Sequence, residues 1–268
     1  MKFKILVIIL DIVLFLFFIS VFIMPVFMGV IDLKTFLTSY WFFPPIFIAL
    51  LVVINFLYLK NKNIIENVEA GDWMALCLNL EEEVFEKRNL NFKNIKLLSE
   101  VQLLLSDFKG LQRLETFVRA NKGEYLTRLA TNFAGGKLLS GQYDELYTFT
   151  SNLVKSGNKN EWIIFYVPFS LQMQKQHAQA SEEFAKLVGT FTEPILNLMT
   201  DYFYYDVLKS YNKLPINEQK EKISELKGRF CKEYSHTTWQ NYIAKKKENI
   251  HILVFKKVID DASAWIYQ

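Results

Sequence analysis

Two stretches of this chain are too apolar to be left in water. From Ile5 to Val30 the sequence is apolar apart from Asp11 and Ser20, and from Trp41 to Leu59 it is apolar apart from Asn55. A hydrocarbon core about 30 Å thick is crossed by about 20 apolar residues, each rising about 1.5 Å in a helix. Both stretches meet that length. The expectation is a transmembrane helical hairpin over residues 1–62, with helices at about 5–30 and 41–59 and a soluble body after it. Contact with the lipid bilayer is therefore the first partner that the sequence implies.

The flanks give the hairpin a direction. Lys2 and Lys4 precede the first stretch and Lys60 and Lys62 follow the second, while the link from Ile31 to Tyr40 holds one acid and one base, Asp32 and Lys34. Positive charge favours the cytoplasmic side. Both termini and the body are expected in the cytoplasm, in a multi-pass protein of the cell (inner) membrane. The basic start resembles a signal peptide, but the apolar stretch is too long and no small-x-small cleavage site follows, so an uncleaved anchor is expected. Tyr40, Trp41 and Tyr58 are placed as interfacial aromatics. Pro25 is expected to kink the first helix, and Pro44-Pro45 suits the start of the second.

Asp11 lies about two turns into the first helix, where a carboxylate is expected to reach the headgroups or to face the hairpin. A proton or ion relay is the weaker reading, because the second helix offers only Asn55. Asn55 is placed to hydrogen-bond across the hairpin.

Beyond residue 60 the signals are helical. Breakers fall at short intervals, at Gly71-Asp72, Gly110, Asn121-Lys122-Gly123, Ser140-Gly141-Gln142 and Ser156-Gly157-Asn158. The apolar run Trp162 to Val167 has strand composition, but its surroundings make it a buried helix start. A period runs through this region. Trp73, Phe108 and Tyr143 are 35 residues apart, preceded by Asp72, Asp107 and Gln142 and followed three residues on by Leu76, Leu111 and Leu146. The next step lands on Ala178, with His177 before it and Ser181 after it, and the register fades there.

Chemistry-bearing motifs are scarce. His177, His236 and His251 have no second ligand at i+3 or i+4, and Cys77 and Cys231 give neither zinc spacing nor a disulfide framework. Gly135-Gly136-Lys137-Leu138 fails as a phosphate loop, because Thr131 and Leu138 stand where Gly and Ser or Thr are needed; a close helix contact is expected instead. Glu81-Glu82-Glu83 reads as a solvated helix face. Lys245-Lys246-Lys247, with Lys256 and Lys257, reads as solvated lysine before it reads as a contact with anionic lipid. A net charge of +3 is too small to argue for nucleic acid. Neither a cofactor, a metal nor a small-molecule substrate is evident.

The segments Gly71-Asp72-Trp73-Met74-Ala75-Leu76 and Gly141-Gln142-Tyr143-Asp144-Glu145-Leu146 resemble the start of the second helix of a tetratricopeptide (TPR) repeat, where an aromatic opens the helix and fills the gap to the next pair. The resemblance covers residues 64–190 and departs at several small-residue positions and at the missing closing proline. It implies an all-α fold, a TPR-like α-solenoid of antiparallel helix pairs over 63–190, with C-terminal helical hairpins over 191–268 as its cap. It also implies that the first helix of each pair lines a partner-binding groove. The matching positions are Lys93, Lys96 and Glu100, then Arg128 and Thr131, then Tyr166 and Ser170. The two-lysine, two-asparagine clamp of chaperone-binding TPR domains is not reproduced. The layout, a two-helix anchor before repeats, is similar to that of the HemY family of bacterial membrane proteins. The expected function is a membrane-anchored, non-catalytic scaffold or adaptor for other proteins. The alternative is a structural subunit of a larger membrane complex, such as secretion or motility machinery, and a membrane enzyme with a dispersed site comes last.

Overall fold

The computed structural model describes residues 2–29, 34, 38, 41–247 and 250–268, and among these every regular element is helical. The chain divides into two compact units, Met1–Val101 and Gln102–Gln268. Most of the link from 31 to 40, with Asp32 and Tyr40, lies outside the described residues.

In the N-terminal unit, α1 (Lys2–Phe18) passes through a π turn (Ile19–Ile23) into α2 (Met24–Phe27). The irregular turn falls just before Pro25, which has no N–H to donate to Val21. The next long helix, α3 (Phe43–Ala70), opens on prolines in its first turn, where a missing N–H does no harm. Both helices are long and apolar enough to cross a membrane, with mean hydropathy 2.8 in Phe3–Val21 and 2.0 in the most apolar 18-residue stretch of Phe43–Ala70. They pack antiparallel through Phe18 stacked on Phe47 at 4.6 Å and Phe3 on Tyr58 at 6.3 Å.

The 28 residues of α3 run on without a break through Lys60 and Lys62, so the expected division at 62/63 falls inside one helix. At about 1.5 Å per residue that helix is about 42 Å long, more than a bilayer core requires. Its far end is held by the start of α1, where the Phe3 N–H donates to the Glu69 carboxylate. Asp11 does not reach outward. Its Oδ2 accepts from Asn55 Nδ2 at 3.0 Å across the hairpin.

A single turn recurs along the chain and explains the period. After α3 come α4 (Trp73–Glu81), a π turn (Glu82–Glu86), α5 (Phe92–Leu104) and α6 (Phe108–Asn121). A short α7 (Glu124–Arg128) leads to α8 (Ala130–Leu139), α9 (Tyr143–Lys155), α10 (Glu161–Met173) and α11 (His177–Leu187). Four junctions share one two-residue form. A left-handed residue (Gly71, Ser106, Gly141 or Lys175) closes one helix, and Asp72, Asp107, Gln142 or Gln176 opens the next. At each junction the opening residue's N–H reaches back to a carbonyl five residues earlier, Asn67, Gln102, Lys137 or Leu171. The carbonyls that a helix end leaves orphaned are satisfied this way. Asp72 and Asp107 add a side-chain cap, accepting from the N–H of Ala75 and Gly110. The fourth helix starts at His177, one residue before the 35-residue step, and buries Ala180 where its predecessors bury Leu76, Leu111 and Leu146. That one-residue slip is why the register fades at Ala178.

In the C-terminal unit the apolar run Trp162 to Val167 is helical, as expected, and lies within α10. The C-terminal hairpins expected over 191–268 begin with α12 (Pro194–Tyr202), which passes into a π turn (Phe203–Val207) and a 3-10 turn (Lys209–Tyr211). Phe203, Tyr204 and Tyr205 are all buried. Three consecutive side chains sweep too much of an α-helix to share one core face, and the wider turn accommodates them. Then follow α13 (Ile216–Glu233), α14 (His236–Lys245), α15 (Ile250–Val254) and α16 (Lys256–Tyr267). The tail folds back onto α10 and α12. Phe255 lies 4.8 Å from Phe169 and 5.6 Å from Phe165, and Phe184 stacks on Phe203 at 5.1 Å. Trp239 is fully buried and donates to Ser263 at 2.8 Å.

Candidate functional site

A cleft of about 510 Å³ lies in the C-terminal unit where α6, α8 and α9 meet. Gly136 creates it. A Cβ at that position would stand 2.2 Å from Leu111 Cδ2, so the missing side chain lets α8 approach α6 without displacing Leu111 from the core. The close helix contact expected of the Gly135-Gly136 pair is present. Lys137, the next residue, is drawn inward with it. Glu115 lies one turn beyond Leu111 on the same face of α6, and Lys137 Nζ reaches Glu115 Oε2 at 3.0 Å. A second carboxylate, Glu145 on α9, meets the same ammonium at 3.1 Å. Arg119 reaches Glu115 Oε1 at 2.9 Å, and the Phe149 ring centre lies 5.7 Å from Lys137 Nζ.

Lys137 and Glu115 are each only 8% exposed. Ions this buried are retained only when paired and hydrogen-bonded, as these are. Around them Asp144, Thr148 and Asn152 line the cleft with Leu126, Leu153 and Ser156. Three carboxylates face two cations, so the lining carries an acidic excess. The hydroxyls of Thr148 and Ser156 donate to the carbonyls of Asp144 and Leu153. The cleft therefore offers exposed acids beside an apolar floor, a surface suited to a basic or amide-bearing segment.

None of the seven residues expected to line a groove lies in this cleft. Lys93, Lys96 and Glu100 belong to the N-terminal unit, all exposed, with Lys96 and Glu100 paired at 3.6 Å. Arg128 is exposed on α7 over the Tyr125 ring, and Thr131 is half-buried. Tyr166 and Ser170 are fully buried, which removes them from any partner-facing set. The cause is the tail. Tyr166 Oη meets His251 Nδ1 at 2.5 Å, and Phe255 and Trp162 close the cage. Ser170 donates to the Val167 carbonyl. Burial lowers His251 to a pKa of about 4 and raises the Tyr166 phenol, so both are neutral near pH 7.

Two further polar nodes fix the tail. Burial opposes the ionisation of Glu161, yet donation from the Thr192 hydroxyl and the N–H groups of Thr192 and Glu193 holds its carboxyl below the usual range. Glu193 accepts from Tyr242 at 2.6 Å and pairs with Lys246 at 2.5 Å. One lysine of the Lys245-Lys246-Lys247 run is thus engaged within the fold.

These features define an all-helical protein with two helices long and apolar enough to cross a membrane and a C-terminal unit carrying a buried-ion cleft. The chain belongs to the family described as "Uncharacterised Treponema protein", whose model matches residues 110–268 and so spans the cleft and the tail. A protein of Treponema pallidum (strain Nichols), described as "Uncharacterized protein", is 34% identical over 237 residues, covering 85% of this chain and 76% of its own length. No solved structure matches. Nothing in these matches points to tetratricopeptide or HemY proteins.

Proposed function

We propose that this chain is a membrane-anchored scaffold whose TPR-like helix pairs bind protein partners. The observation that carries the reading is the recurring left-handed-residue and cap turn, which begins at Gly71-Asp72, at the end of the apolar helix α3. Repeated helix pairs cannot bury their faces alone and stack into arrays with extended binding surfaces. In this reading α1 and α3 form a hairpin in the cell membrane, with both termini and the body in the cytoplasm on the strength of Lys2, Lys4, Lys60 and Lys62. The partner-facing surface is the acidic cleft around Lys137 and Glu115 rather than the Tyr166 face.

Full-length protein purified from its own membranes should recover the same few proteins repeatedly, and Glu145→Lys at the cleft rim should lose them. Identical recovery by both forms would overturn the cleft as the binding surface.

One observation favours the subunit reading instead. Met74 and Leu78, one turn apart on α4, are each 60% exposed, an apolar stripe suited to a permanent neighbour. If Met74→Glu makes the chain assemble less well while Glu145→Lys has no effect, the subunit reading replaces the adaptor.

A further inference from the structure

The hairpin carries an unmet polar requirement. Asp11, Ile12, Phe15, Leu16, Leu51 and Asn55 line a groove of about 360 Å³ along it. Asn55 has two amide N–H bonds to give. One goes to Asp11 Oδ2 and the other to the Leu51 carbonyl, both at 3.0 Å. Asn55 has no further donor, and Asp11 Oδ1 has no partner among the described residues. No Lys, Arg or His occurs within either apolar stretch. Asp11 lies eight residues beyond Phe3. That places it about 12 Å along the helix, close to the middle of a core about 30 Å thick. An ionisable group at that depth is costly unless it is paired.

We propose that this groove docks a transmembrane helix of a partner protein that carries a basic side chain at mid-depth. The inference rests on reading α1 and α3 as a membrane hairpin. Oδ1 is closed off within the pair, and a turn of the carboxyl group about its terminal torsion brings it to a cation in the groove, which gives it the donor it lacks, while Ile12, Phe15, Leu16 and Leu51 receive the apolar flank of the incoming helix. A second copy of this chain does not meet the requirement. Two-fold pairing through this groove would set Asp11 against Asp11, and each Asn55 has already committed its N–H groups.

The test uses full-length protein in phosphatidylcholine vesicles, with Phe15 replaced by photoreactive benzoylphenylalanine. The probes are synthetic polyleucine transmembrane peptides that differ only at the central residue: Arg, Leu or Glu. The Arg peptide should cross-link about tenfold more than the Leu peptide, a ratio in keeping with one polar contact within a bilayer. Asp11→Leu should abolish that preference. Resistance of the protein to alkaline extraction is measured on the same vesicles. Resistant protein that cross-links all three peptides equally, or that cross-links mainly to itself, would overturn the proposal while leaving the anchor standing. Protein extracted by alkali would overturn the anchor and the proposal together.

Discussion

Single residues set both the approach of the helices and the charge of their interior. Gly136 is the smallest possible contact between α8 and α6, so Gly136→Ala should cost about 1–3 kcal/mol through overpacking against Leu111, read as a lowered midpoint of thermal unfolding. Two buried titratable groups act in opposite directions with pH. Burial pushes the Asp201 carboxyl up to about 7 from 3.8, against the pull of Arg229, so between those values the folded state keeps a proton that the unfolded chain releases. Its contribution to stability is greatest in acid and is lost as pH rises from about 4 to about 7. His251 is lowered from 6.5 to about 4, so its contribution is lost as pH falls through that range. Thermal midpoints measured from pH 4 to pH 7 should separate the two. Asp201→Asn should leave a chain that only weakens on acidification, and His251→Phe should leave one that weakens as pH rises. Unchanged profiles would contradict both assignments. Little of this was legible in the sequence. Lys137 and Glu115 lie far apart in the chain and meet only because Gly136 packs on Leu111, and the tail that buries Tyr166 comes from the far end of the chain.

The helices and their junctions were far more legible, because their signals are local. The 35-residue step from Trp73 to Phe108 to Tyr143 marks the first residues of α4, α6 and α9, and Asp72 and Asp107 are caps in fact. Asp107→Ala should therefore cost about 1 kcal/mol. At the fourth junction the left-handed position is Lys175, at φ +62°, where a β-carbon is strained; Lys175→Gly should raise stability by roughly 1 kcal/mol. Calorimetry of the two variants tests the shared turn, and a neutral result for both would contradict it. The breaks at Phe203 and Phe255 are not legible in the sequence, because apolar periodicity alone does not reveal a π turn or a change of helix axis. The continuity of α3 past Lys62 bears on function. A Gly-Ser insertion after Asn63 should leave the helical content intact but impair partner assembly, measured by recovery of the partners from membranes.

At the scale of the whole molecule, α3 carries the chain without a break from the apolar hairpin to the Gly71-Asp72 junction. The apolar stretches were plain from composition, since Asp11, Ser20 and Asn55 are the only polar residues that interrupt them. The groove at Asp11 was not, because which amide hydrogens Asn55 has committed depends on the packed pair. The central claim is that the hairpin spans the membrane and leaves the body in the cytoplasm. Cys231 is exposed and Cys77 is buried, so the native chain carries its own reporter. A membrane-impermeant maleimide should label Cys231 in inside-out vesicles and leave it unlabelled in right-side-out ones. Labelling in intact right-side-out vesicles would contradict the account.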